Sequence, residues 1–99
     1  MANRKFKFFH GIPLGYNTQG LIYFICHNYK ALPGRTQRLI LDLCRACGGD
    51  NAEALFEFLT TDRSLPVIMQ KYYIASQTTI YRAVNKFYVA MARELDGKL

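Results

Sequence analysis

The stretch Ser76-Gln77-Thr78-Thr79-Ile80-Tyr81-Arg82-Ala83-Val84-Asn85-Lys86-Phe87-Tyr88-Val89-Ala90-Met91-Ala92-Arg93-Glu94-Leu95 decides the fold class. Ile80, Val84, Phe87, Tyr88, Met91 and Leu95 fall at the alternating three- and four-residue spacing of one helix face. Ser76 carries a side-chain oxygen suited to capping the start, and Asp96-Gly97 offers a stop. A long amphipathic helix needs other helices to cover its apolar stripe, and candidates lie on its N-terminal side.

Immediately upstream, Ser64 is placed to cap a shorter helix with Pro66 in its first turn, where a missing N–H is tolerated. The pattern predicts a helix over roughly residues 65 to 73, with Val67, Ile68 and Tyr72 facing inward and Ile74 and Ala75 in a turn. Further back, Thr36, Ile40, Leu43, Cys44 and Cys47 share one helix face that Gly48-Gly49 terminates. Asp50-Asn51-Ala52-Glu53 has the form of a capping box for the next helix, whose apolar face is Leu55, Phe58 and Leu59. Leu21, Ile25, Tyr29 and Leu32 predict an earlier helix stopped by Pro33-Gly34, with a buried strand over residues 21 to 26 as the rival. Gly11, Pro13, Gly15, Asn17 and Gly20 punctuate the start of the chain, which predicts arm and loop there. The expected fold is all-α, a bundle of about five helices containing a helix-turn-helix. An extended N-terminal arm fills residues 1–20, one helical domain fills 21–99, and the helix-turn-helix lies within 65–95.

The composition agrees with one small domain. The chain has 99 residues, 51% of them hydrophobic and 20% charged, with seven Phe, seven Tyr and no Trp. That supplies a core but leaves no room for a multidomain enzyme or a separate cofactor domain. A formal charge of +6 favours polyanionic partners, nucleic acid before anionic membrane. The apolar run Leu21-Ile22-Tyr23-Phe24-Ile25-Cys26 falls far short of the ~20 residues that span a bilayer. No secretory signal is readable and three cysteines make no disulfide framework, so a cytoplasmic protein is expected.

Charge is unevenly spread. Residues 42 to 62 hold five acids, whereas Arg63 through Arg93 holds five basic residues and no acid. Subtracting the apolar face of the last helix leaves Gln77, Thr78, Tyr81, Arg82 and Asn85 outward on its first half. These types suit base edges: Gln and Asn can bridge adenine, Arg can bridge guanine, and Thr can meet a thymine methyl. Ser76, Lys71, Lys86 and Arg63 are the expected phosphate contacts. Arg4, Lys5 and Lys7, interleaved with Phe6 and Phe8, allow a minor-groove arm, but such a pattern more often marks an edge segment with its rings turned inward and its lysines in water.

The segment from Lys71 to Val84 resembles the helix-turn-helix of small bacterial and phage DNA-binding regulators. Ser76, Thr79, Ile80 and Arg82 match the cap, Thr, aliphatic and Arg positions of that motif. Gln70 and Ile74 depart from it, standing where a small residue and a turn glycine are usual, which allows a turn one residue longer. The resemblance implies sequence-specific binding of double-stranded DNA and transcription regulation of phage or mobile-element type; a homodimer is expected because one such module offers a limited surface for regulatory affinity. Val89, Met91 and Leu95 offer a dimer contact or, equally, packing against the helix near Leu21.

Other constellations carry less. Cys44-Arg45-Ala46-Cys47 with Cys26-His27 lacks the second pair of a zinc site, and free Cys packs readily as a small hydrophobe. His10 and His27 have no nucleophile and carboxylate at a catalytic spacing, and Asp50, Glu53, Glu57 and Asp62 suit capping and solvation. No enzyme, metal or cofactor is expected. Two rivals remain at this point: a module presenting Tyr72, Tyr73, Tyr81 and Tyr88 to a host protein, and an RNA-binding module stacking bases on the same rings.

Overall fold

The computed structural model describes residue 6 and residues 8–98, with side chains described as far as Asp96. All regular structure among the described residues is helical, in line with the all-α expectation. The α-helices are α1 (Tyr16–His27), α2 (Gly34–Gly48), α3 (Ala52–Thr60), α4 (Leu65–Lys71) and α5 (Gln77–Lys98). Short 3-10 turns, Tyr29–Ala31 and Gly49–Asn51, join α1 to α2 and α2 to α3. None of the described helices is long and apolar enough to cross a membrane.

The last helix organises the bundle as its periodicity requires. Ile80, Val84, Phe87, Tyr88 and Met91 are buried and Leu95 is half-buried. α5 lies mainly along α2, with α1 and α3 completing its surroundings, and α4 rests on α3. Each fully buried large apolar side chain contributes about 1.5–3 kcal/mol, so these positions on α5 form the most stabilising single stripe. Met91 is sealed inside the chain's own core, while Val89 and Leu95 on the same half of α5 are half-buried. The middle helices also follow their pattern: Ile40 and Cys44 of α2 and Leu55 and Leu59 of α3 are buried. Gly49 ends α2 with φ 54°, a conformation that glycine reaches without steric penalty.

Several sequence expectations are corrected. The segment 1–20 is not all arm, because α1 begins at Tyr16 and contains Gln19 and Gly20. Gly20 acts there as a notch rather than a breaker: an added Cβ would lie 2.8 Å from a ring carbon of Phe6. The buried face of α1 is Gln19, Ile22 and Cys26, so Leu21, expected inside, faces water. The helix closes at His27 and a 3-10 turn, not a continuous helix, leads to Pro33. The capping box at Asp50–Glu53 does not form, because the 3-10 turn runs directly into α3 and Asn51 makes no side-chain cap bond. Val67 of α4 is exposed, while Leu65 takes the inner position beside Ile68. Ser64 occupies the N-cap position without a side-chain bond, so its carbonyl, accepting from Ile68 N–H, starts the helix. α4 stops at Lys71, two residues before its expected end. At the other end α5 continues through Asp96-Gly97 to Lys98.

The N-terminal loop is held by a side chain that no sequence pattern singles out. Gln19 is fully buried, and its Oε1 accepts from Phe9 N–H at 2.9 Å. Its Nε2 donates to the carbonyls of Phe9 and Leu14, each at 3.0 Å. One amide thus satisfies three backbone groups of the loop, which is how irregular backbone can lie against the core.

Candidate nucleic-acid interface

The connection between α4 and α5 has a defined geometry. Tyr73 takes φ 57°, the left-handed region, directly after α4. Tyr73 N–H donates to Gln70 C=O at 3.4 Å and Ile74 N–H to Met69 C=O at 2.9 Å, the paired bonds of a Schellman termination. Met69 and Ile74 are both half-buried against the core, which supplies the apolar contact that accompanies this motif. A left-handed conformation in a residue with a Cβ costs about 1–2 kcal/mol, so this turn carries strain at Tyr73. Ser76 then caps α5 as expected, its Oγ accepting from Thr78 N–H at 3.2 Å.

The five residues assigned to base edges divide into two groups. Gln77, Thr78 and Arg82 are exposed. Tyr81 and Asn85, expected to stand out beside them, are half-buried. The reason is the N-terminal loop. Tyr81 meets Phe9 edge-on at 6.0 Å and Phe58 at 6.4 Å between ring centroids, and Asn85 Nδ2 donates to Gly11 C=O at 3.4 Å. Residues 8–12 therefore flank α5 on that side and leave a groove of about 420 Å³ rimmed by Gln77, Thr78 and Arg82. The open ridge is rotated toward Thr78, Arg82 and Lys86, which recur every four residues, and Arg93 extends the same stripe. Arg82, Lys86 and Arg93 are exposed and make no ion pair among the described residues.

The remaining assigned cations behave differently. Glu57 of α3 is nearly buried and gathers Arg63, Lys71 and Tyr72. Its Oε1 accepts from Lys71 Nζ and from the Tyr72 hydroxyl, both at 2.8 Å, and its Oε2 from Arg63 Nη1 at 2.5 Å. Hydrogen bonds from Lys71, Tyr72 and Arg63 hold the Glu57 carboxyl down at about 2, so it remains ionised in this cluster. Arg63 and Lys71 thus clasp α3 to α4 instead of projecting freely. Glu57 is no surface acid, as its neighbours Glu53 and Asp62 are. Arg4, Lys5 and Lys7 lie outside the described residues.

The four tyrosines assigned to a protein partner do not share a surface role. Tyr88 is buried, Tyr72 donates to Glu57, Tyr81 is half-buried, and Tyr73 alone of the four is almost fully exposed. The cysteines are similarly separated from solvent chemistry: burial pushes the Cys26 and Cys44 thiols up to about 12. Exposed cations outside the sequence expectations include Lys30 and, sharing the outer face of α2 with Asp42, Arg35, Arg38 and Arg45. The arginines' spacing of three and seven residues was the available signal. Asp42 sits 3.7 Å from Arg45 and offsets part of that charge.

Comparison with protein-family models, with curated proteins and with solved structures gave no match.

Proposed function

We propose that this chain binds double-stranded DNA by setting the first half of α5 into the major groove, as a sequence-specific regulator of phage or mobile-element type. The observation that carries the reading is the exposed ridge Thr78, Arg82, Lys86 and Arg93 of α5, within a stretch of chain from Arg63 to Arg93 that contains no acid. A helix enters the major groove with its N-terminal residues at the base edges. Arg82 has the fork that bridges guanine O6 and N7, and Gln77 at the helix tip can bridge adenine. Lys86 and Arg93 lie further along, where the helix leaves the groove and phosphates are met. Ser76 keeps a hydroxyl proton for a phosphate while its oxygen caps α5. Arg63 and Lys71 support the scaffold through Glu57, and Tyr81 and Asn85 set the loop shoulder beside the reading ridge.

Two copies acting together belong to the proposal, because a single module of this size buries only about 600–1,000 Å² on DNA. The protein-partner reading loses support from the burial of Tyr88 and the engagement of Tyr72. Selection of bound duplexes from a random pool at two salt concentrations, with mass determination of the complex, tests the proposal. The expected result is an enriched site with two half-sites and an affinity that falls steeply with salt. Recovery of no enriched sequence, with salt-insensitive or absent binding, would remove it.

A further inference from the structure

We propose that Tyr73 is a DNA-contact residue at the rim of the groove, its phenol meeting the sugar–phosphate backbone beside α5; this rests on the DNA-binding reading above. Three observations lead there. Tyr73 occupies the left-handed position of a Schellman termination, φ 57°, where glycine stops a helix without strain and a tyrosine does not. Its side chain is 95% exposed and makes no hydrogen bond or ring contact among the described residues, so no packing in the fold offsets the unfavourable backbone. Met69 and Ile74 fix the turn against the core on both sides of it, so the ring projects from a rigid base.

Its place in the chain names the partner surface. Three residues separate Tyr73 from Gln77, the first residue of α5. Any duplex that admits the N-terminus of α5 into its major groove brings this turn to the groove edge, which is lined by phosphates and deoxyribose. Tyrosine suits that edge, with a hydroxyl to donate to a phosphate oxygen and an apolar ring to lie on a sugar. The contact reads no base, so it adds affinity to every sequence alike.

The test uses Tyr73→Gly, Tyr73→Asn and Tyr73→Phe in the full chain. Thermal unfolding is measured alongside affinity for the selected duplex and for an unrelated duplex of equal length. Asn tolerates the left-handed region without the extra backbone freedom of glycine, so it separates relief of strain from unfolded-state entropy. The expected outcome is that Tyr73→Asn melts at or above the wild type yet binds both duplexes about tenfold more weakly, with Tyr73→Phe between the two. Two results overturn the inference and leave DNA binding standing: wild-type affinity in both Tyr73→Gly and Tyr73→Asn, or a lowered melting temperature in both. A wild-type chain that binds neither duplex removes the DNA reading itself and this contact with it.

Discussion

Arg63 and Lys71 look, in the sequence, like Arg82 and Lys86: cations in an acid-free stretch that includes the proposed reading helix. In the structure their roles separate. The first pair converges on one carboxylate of α3 and closes the joint between α3 and α4, whereas the second pair stands on the outer stripe of α5 in water. The difference comes from Glu57, which is distant enough in sequence that a charge count along the chain assigns it to a separate acidic region. Counting charge therefore locates the basic end of the molecule but does not say which cations are available to a polyanion. That depends on where the few buried acids lie.

Four variants break or sharpen this contrast. The largest effect is expected for Glu57→Gln, which leaves two cations and a phenol around a neutral amide. Because both cations are themselves half-exposed, the loss is discounted from a fully buried pair to about 2 kcal/mol, or about 10 °C in melting temperature. The same carboxyl gives a signature in acid. Its pKa is depressed in the fold from 4.5 to about 2, so its stabilisation is complete above about pH 4.5 and fades as pH falls toward 2. The melting-temperature gap between wild type and Glu57→Gln should narrow through that window; a gap constant with pH would mean that the cluster is not held by the ionised form.

Arg82→Ala comes next and acts on the other side of the comparison. Discrimination at one base pair should fall by about 1–3 kcal/mol while thermal stability stays within about 0.5 kcal/mol. An unfolded Arg82→Ala protein would show that this arginine also anchors the fold. Lys86→Ala should weaken binding to all duplexes several-fold and reduce the salt slope by about one, as loss of a phosphate contact does. The smallest binding effect is expected for Lys71→Ala, below about twofold, since that ammonium is engaged by Glu57. Equal losses for Lys71→Ala and Lys86→Ala would erase the distinction between the two sets of cations.

What the sequence made legible depended on how local the cause was. Ile80, Val84, Phe87, Tyr88 and Met91 announce α5 because a regular apolar period needs no knowledge of the partner, and Ile40 with Cys44 announces α2 in the same way. Ser76 was readable as a cap because capping joins residues two or three apart. The start of α1 was not readable, since nothing local to Gly20 announces that its missing side chain makes room for the Phe6 ring against a helix. The burial of Gln19 depends on loop carbonyls that become its neighbours only after folding. At the candidate interface, the outward path of Arg82 follows from helical spacing, while the partial cover over Tyr81 and Asn85 comes from residues 8–12 at the opposite end of the chain. The strain at Tyr73 has no local sign at all, because nothing in a tyrosine forecasts a positive φ.

The placement of the cysteines equips the chain with a built-in gauge of its own opening. Cys26 and Cys44 are buried thiols held in the protonated state, so a thiol-directed reagent reaches them only when α1 or α2 lifts from the core. Half-buried Cys47, at the last turn of α2, should react at a milder opening of that end. The order in which the three are labelled would reveal which part of the bundle loosens first, without adding any probe to the sequence.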